Sequence, residues 1–209
     1  MENAKMKKII GIGGAVVKTG AHEHLKENID DIEMIIYNGG ALFHDFQLAL
    51  EGYTSVPITE LNKSLKKIEY SGLYLWDWLR GEKPAPEGSL ARLCEDKNIP
   101  VLLFTALPCD YWQLLSDDWG LIANRSNKDF KLLKERFQKP FHYINMGSAV
   151  IHPEVFLKAM QGIKHNDFKA DVVDFLDMYR PRTRVSKEYG KYYQMTFNEF
   201  MEKEFEKLK

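Results

Sequence analysis

The sequence predicts an α/β fold, an open parallel sheet with helices on both faces. Three observations carry this. Short apolar runs rich in β-branched residues alternate along the chain with amphipathic stretches, the pattern of strands buried on both sides by helices. Each run closes on glycine or small polar residues before helical spacing begins. At 209 residues, 44% of them hydrophobic and 12% aromatic, the chain can bury a core of this kind as one domain over 1–209.

The elements follow in order. Lys8-Ile-Ile-Gly-Ile12 reads as a first strand ending at Gly13-Gly14, and Ile32–Tyr37 followed by Asn38-Gly39-Gly40 repeats that logic. Ile99–Ala106 and Phe141–Gly147 are two further buried strands, and Ala170–Phe175 is a fifth. Apolar spacings of three and four predict helices over Ala41–Glu51, Ser89–Lys97, Asn127–Phe137, Pro153–Met160 and Thr196–Leu208. Pro153 suits a first helical turn, where its missing N–H costs nothing. Gly81–Gly88 reads as a loop on composition, and the Trp- and Tyr-bearing stretch Tyr70–Trp78 as core or interface.

Charge narrows the function. With 29 Lys+Arg against 30 Asp+Glu the formal net charge is −1, so no global field draws nucleic acid or an anionic membrane, and neither partner is expected. No window holds the roughly 20 apolar residues of a membrane helix, and Met1–Lys8 has no signal-type apolar stretch behind it, so a cytoplasmic location is expected. Cys94 and Cys109 are too few for a disulfide framework; Cys109 is expected to be a small buried thiol. No metal is expected, since His22-x-His24 has no partner ligands at recognisable spacing.

Ligands of open parallel sheets lie at the carboxyl ends of the strands, so four segments there are candidates. Gly11–Gly20 is glycine-rich and ends in Lys18-Thr19, yet Val17 stands where a phosphate loop needs glycine, and Val16 where a dinucleotide fingerprint needs glycine or alanine. Asn38–Asp45 joins two glycines to a helix start whose free amides suit a ligand. Its His44 and Asp45 point about 100° apart on a helix, so they form no tight pair. In Thr105–Trp112, Asp110 either caps the next helix or takes a ligand hydroxyl or amine. In Asn145–Pro153, Gly147-Ser148 follows a strand, and His152 is a capping, packing or ligand histidine.

Taken in order, GGAVVKTG at 13–20, NGGALFHDFQLALEG at 38–52 with Thr54-Ser55 behind it, KNIPVLLFTALPCD at 97–110 and INMGSAVIHPEVFLKAM at 144–160 resemble the deoxyhypusine synthase-like family, in its short bacterial-type form. The second and fourth segments are the specific ones. The resemblance implies a Rossmann-like sheet, NAD at the strand ends, a homo-oligomer (dimer or tetramer), and transferase chemistry on a polyamine or other small amine. It implies that Gly13, Gly14, Thr19 and Gly20 meet cofactor phosphates, that Asn38, Gly39 and Gly40 meet ribose or phosphate, and that Asp110 holds a ribose or the substrate amine. Gly147 and Ser148 would close the pocket, and His44, Asp45 and His152 would serve proton transfer or substrate contact. Parts of the family pattern are missing, among them the glycine triplet and histidine pair near the fourth segment, where this chain has Met146-Gly147-Ser148 and a single His152. Where true synthases carry the lysine that forms an imine with the transferred fragment, a short distance after an Arg-Pro, this chain has Arg180-Pro181 followed by Tyr189, with Lys187 and Lys191 the nearest amines. The reading is therefore an NAD-binding relative that is not a true deoxyhypusine synthase; the alternative is a non-catalytic nucleotide- or polyamine-binding protein of the same fold.

Overall fold

The computed structural model describes residues 6–54 and 61–208, with the backbone alone for 61–68. Ser55, behind the second motif, and Met1–Lys5 lie outside the described residues. Among the described residues six strands form one sheet, β1 (Lys8–Ile12), β2 (Ile32–Asn38), β3 (Val101–Phe104), β4 (Phe141–Met146), β5 (Phe168–Asp174) and β6 (Tyr192–Gln194). All pair in parallel in the order β3-β2-β1-β4-β5-β6. This is a Rossmann-like open sheet, and its strand order reverses between β1 and β4.

Among the described residues ten helices connect and cover the strands: α1 (Gly14–Lys18), α2 (Ala21–Glu27), α3 (Gly39–Glu51), α4 (Leu61–Arg80), α5 (Leu90–Asp96), α6 (Trp119–Arg136), α7 (Ile151–Ala159), the single turns α8 (Tyr179–Pro181) and α9 (Lys187–Tyr189), and α10 (Phe197–Lys203). Successive strand residues point to opposite faces, which builds two cores. Ile10, Ile12, Ile35, Tyr37, Leu103 and Ile144 pack under α1 to α5 and α10, whereas Ile9, Ile36, Leu102, Tyr143 and Val172 pack under Leu133, Phe137 and Phe156 on the α6–α7 side. All five residues of β1 and all six of β4 are buried, as central strands covered on both sides must be.

The sequence reading and the structure part at identifiable places. β6 has three residues at the sheet edge, too few to show a period. The glycine-rich segment taken as a loop is the helix α1, which starts at Gly14, and α2 follows after Gly20 at φ 78°. Tyr70, at the start of the aromatic stretch, is 56% exposed, but the tryptophans need no partner subunit: Trp76 is 0% and Trp78 7% exposed. They are the buried end of α4, with Trp76 Nε1 donating to Trp112 O at 3.0 Å and Trp78 Nε1 to Glu95 Oε1 at 2.6 Å. The expectation of a homo-oligomer therefore loses its support from these side chains.

Candidate functional site

The carboxyl ends of β1, β2 and β3 surround a cavity of about 220 Å³, lined by Gly14, Asn38, Gly39, Gly40, Thr105, Ala106, Cys109, Asp110 and Ile151. Asn38 shapes its floor. As the residue capping α3 it accepts from Ala41 N at 2.8 Å, which leaves Gly39 and Gly40 as the first residues of the helix. Asp110 lies directly on these two. A Cβ on Gly39 would stand 2.1 Å from Asp110 Oδ2, and one on Gly40 3.3 Å from Oδ1, so the carboxylate reaches the amino end of α3 only because both residues are glycine.

A polar clamp fixes that carboxylate. Thr105 Oγ1 donates to Asp110 Oδ2 at 2.9 Å. Gln113, fully buried, accepts from Cys109 N at 2.9 Å and Asp110 N at 3.1 Å and donates to Thr105 Oγ1 at 2.8 Å. Trp112 Nε1 donates to Gly39 O at 3.3 Å, tying the β3 loop to the start of α3. Desolvation raises the Asp110 carboxyl above its usual range, against the Thr105 hydrogen bond, which lowers it. Cys109, expected to be buried, is exposed and lines the cavity.

The other expected residues are placed differently. Gly13 lies behind the cavity: its N–H donates to Met146 O at 2.8 Å, and a Cβ there would stand 2.0 Å from Gly147 O. Thr19 and Gly20 end α1, a full helix length from Gly14, and Thr19 Oγ1 donates to Ala15 O at 2.8 Å, so neither lines the cavity. Gly147, at φ 65°, packs against the Phe197 ring, and Ser148 accepts from His152 N at 3.2 Å. Neither reaches the cavity, whose wall on that side is Ile151.

Asp45 is held by the fold. Its carboxylate is 1% exposed and accepts from Tyr37 Oη at 2.8 Å and from Leu90 N and Ala91 N at 3.0 Å, joining α3 to the amino end of α5. His44 packs beneath Gly14, its Cδ2 3.2 Å from where a Cβ would be. His152 is 1% exposed, on the same side of the sheet as Gly11, and a Cβ on Gly11 would stand 2.9 Å from its Nδ1. The three side chains are thus not brought together, and none lines the cavity. Tyr189 lies still farther away, its ring 5.2 Å from that of Phe168, at the amino end of β5.

Burial depresses both imidazoles to about 4. The unfolded imidazole titrates near 6.5, so between those values the unfolded chain binds the extra proton. Stability is then present above pH 6.5 and lost as pH falls toward 4. For the fully buried His152 the expected loss between pH 7 and pH 5 is about 2 kcal/mol. Urea midpoints at the two pH values check this, with His152→Phe expected to flatten the difference.

No family model and no curated protein matches the chain. Solved structures do match it in fold. A protein described as a conserved LOR/SDH protein from Methanococcus maripaludis S2 superposes with a TM-score of 0.66 at 18% identity, over 97% of this chain and 63% of that one. AgrE, solved as a ternary complex with ornithine and NAD+, gives 0.67 at 15% identity over 94% of this chain and 29% of AgrE. ArgZ, an arginine dihydrolase from the ornithine–ammonia cycle in cyanobacteria, gives 0.65 at 15% identity over the same shares. At these identities the likeness is one of fold, and the chain spans less than two thirds of each of these proteins. The neighbours are LOR/SDH-like and AgrE- or ArgZ-type proteins, so the deoxyhypusine synthase-like resemblance stands on its sequence motifs. Among the described residues no helix is long and apolar enough to cross a membrane, and no group of three or more His, Cys, Asp or Glu side chains is placed to hold a metal ion.

Proposed function

We propose that the chain binds NAD at the carboxyl ends of β1, β2 and β3 and acts on a small amine, as a deoxyhypusine synthase-like protein that is not a true deoxyhypusine synthase. The observation that carries this reading is the Asp110 carboxylate seated over the amino end of α3 inside a cavity at the strand ends. A helix amino end favours an anion, and here the chain supplies its own. A phosphate in this corner would face a carboxylate, whereas the two hydroxyls of a ribose are donors that an acceptor-only group can satisfy. We therefore assign the corner to a ribose of NAD and the Gly14 edge to the diphosphate. NAD supplies hydride chemistry when bound; the chain's own part is to hold the ribose on Asp110 and exclude water with Ile151 and the Gly39–Gly40 floor. AgrE, which shares the fold, was solved with NAD+ and the amine ornithine, and this supports both halves of the reading.

The carboxylate also sets cofactor preference, because a 2′-phosphate would meet it charge to charge. Calorimetry is expected to show NAD binding at least about tenfold tighter than NADP. No heat and no thermal shift with either at millimolar concentration would overturn the proposal, since a ligand of the native state alone must stabilise it.

The position of Tyr189 favours a second reading, a binding protein without aminobutyl transfer. A phenol forms no imine, and the residue packs at the end of the sheet opposite the cavity, with Lys187 beside it in α9. Incubation with NAD, radiolabelled spermidine and an acceptor protein, followed by borohydride, is expected to leave Lys187, Lys191 and the acceptor unlabelled. Label on any of them would mark an active synthase.

A further inference from the structure

Beside the cavity over Asp110 lies a second chamber of about 210 Å³, walled by Phe104, Ala106, Val150, Ile151 and Val155 between the end of β3, α6 and the start of α7. The two chambers share Thr105, Ala106 and Ile151 as walls and so lie side by side. We infer that this apolar chamber seats the base of the nucleotide whose ribose lies on Asp110, and that it accepts the base by fit without reading its hydrogen-bonding edge. The inference rests on the nucleotide reading above.

Two features lead to it. The first is adjacency: a base hangs one glycosidic bond from its ribose, and Thr105, which donates to Asp110, is also a wall of the chamber. The second is the state of the polar groups there. The Thr105 hydroxyl is engaged with Asp110, and the Ser126 hydroxyl donates to Leu103 O at 3.3 Å. Ala106 O accepts from Cys109 N at 3.1 Å and Gln113 Nε2 at 3.3 Å. The Glu154 carboxylate takes Lys158 Nζ and Arg184 Nε, both at 2.8 Å. Each side-chain donor or acceptor lining the chamber thus has a partner in the protein. Strong discrimination between bases needs polar groups that a wrong base would leave unpaired, and an apolar pocket discriminates weakly.

The test uses the full chain with NAD, its guanine and hypoxanthine analogues, and the fluorescent 1,N6-etheno analogue. The three bases are expected to bind within about threefold of one another, and bound etheno-NAD is expected to resist iodide quenching. Val155→Trp, which fills the chamber, is expected to weaken all of them about tenfold while NAD-independent melting is retained. Bound etheno-NAD that iodide quenches freely, or a strong preference for adenine, would overturn the inference on the unmodified protein alone, whatever the variant does, and would leave the chamber to the aliphatic part of the amine. Absence of binding by every dinucleotide would instead overturn the nucleotide reading itself.

Discussion

Gly13→Ala is expected to cost about 3 kcal/mol of folding stability, the upper end of overpacking penalties. The reason is the partner of the added atom. At Gly13 a Cβ would stand 2.0 Å from Gly147 O and 2.5 Å from its carbonyl carbon, both backbone atoms. Side chains can rotate away from a new methyl group, but this carbonyl follows β4, a strand whose six residues are all buried and which pairs with β1 on one side and β5 on the other. Relief requires β1 and β4 to separate where Gly13 N donates to Met146 O. In a chain of this size the penalty corresponds to a melting temperature lower by about 6–12 °C. Backbone torsion plays no part, because Gly13 has φ −92°, open to any residue. An unchanged melting temperature would mean that the two strand ends are not held this closely.

Gly39→Val is expected to abolish nucleotide binding while leaving most of the stability in place. Its Cβ would stand 2.1 Å from Asp110 Oδ2 and 2.6 Å from Thr105 Oγ1, side-chain atoms on a loop at the cavity edge rather than backbone at the sheet centre. The β3 loop can therefore move out, breaking the Thr105–Asp110–Gln113 clamp and filling the corner assigned to ribose. Ligand titration beside a thermal melt separates this outcome from general unfolding.

Much of this site was legible in the chain before folding. Ile32–Tyr37 announces a buried strand, and the Asn38-Gly39-Gly40 behind it announces a helix start open to a ligand, both of them local properties. Asp110 was legible as an acid after a strand, with its capping and ligand roles left open; the structure gives it a seat on another element's glycines. What could not be read was tertiary. Gln113 looks like any helix-start residue, and only the fold shows it gripping two amides and a hydroxyl. Asp45 looks available until the amides of Leu90 and Ala91, some 45 residues on, come to it. The family resemblance sets Thr19 and Gly20 with Gly14 at the cofactor phosphates, but with the segment coiled into α1 they are carried to the other end of a helix.

The central claim is that a carboxylate over the amino end of α3 selects the ribose of NAD. Isothermal titration of the unmodified chain and of Asp110→Asn with NAD and NADP tests it most directly. Asparagine keeps the shape and a hydrogen-bonding oxygen but removes the charge, so NAD should weaken by about tenfold and the preference over NADP should vanish. Equal binding of NAD by both proteins, with the preference over NADP intact in the variant, would contradict the claim.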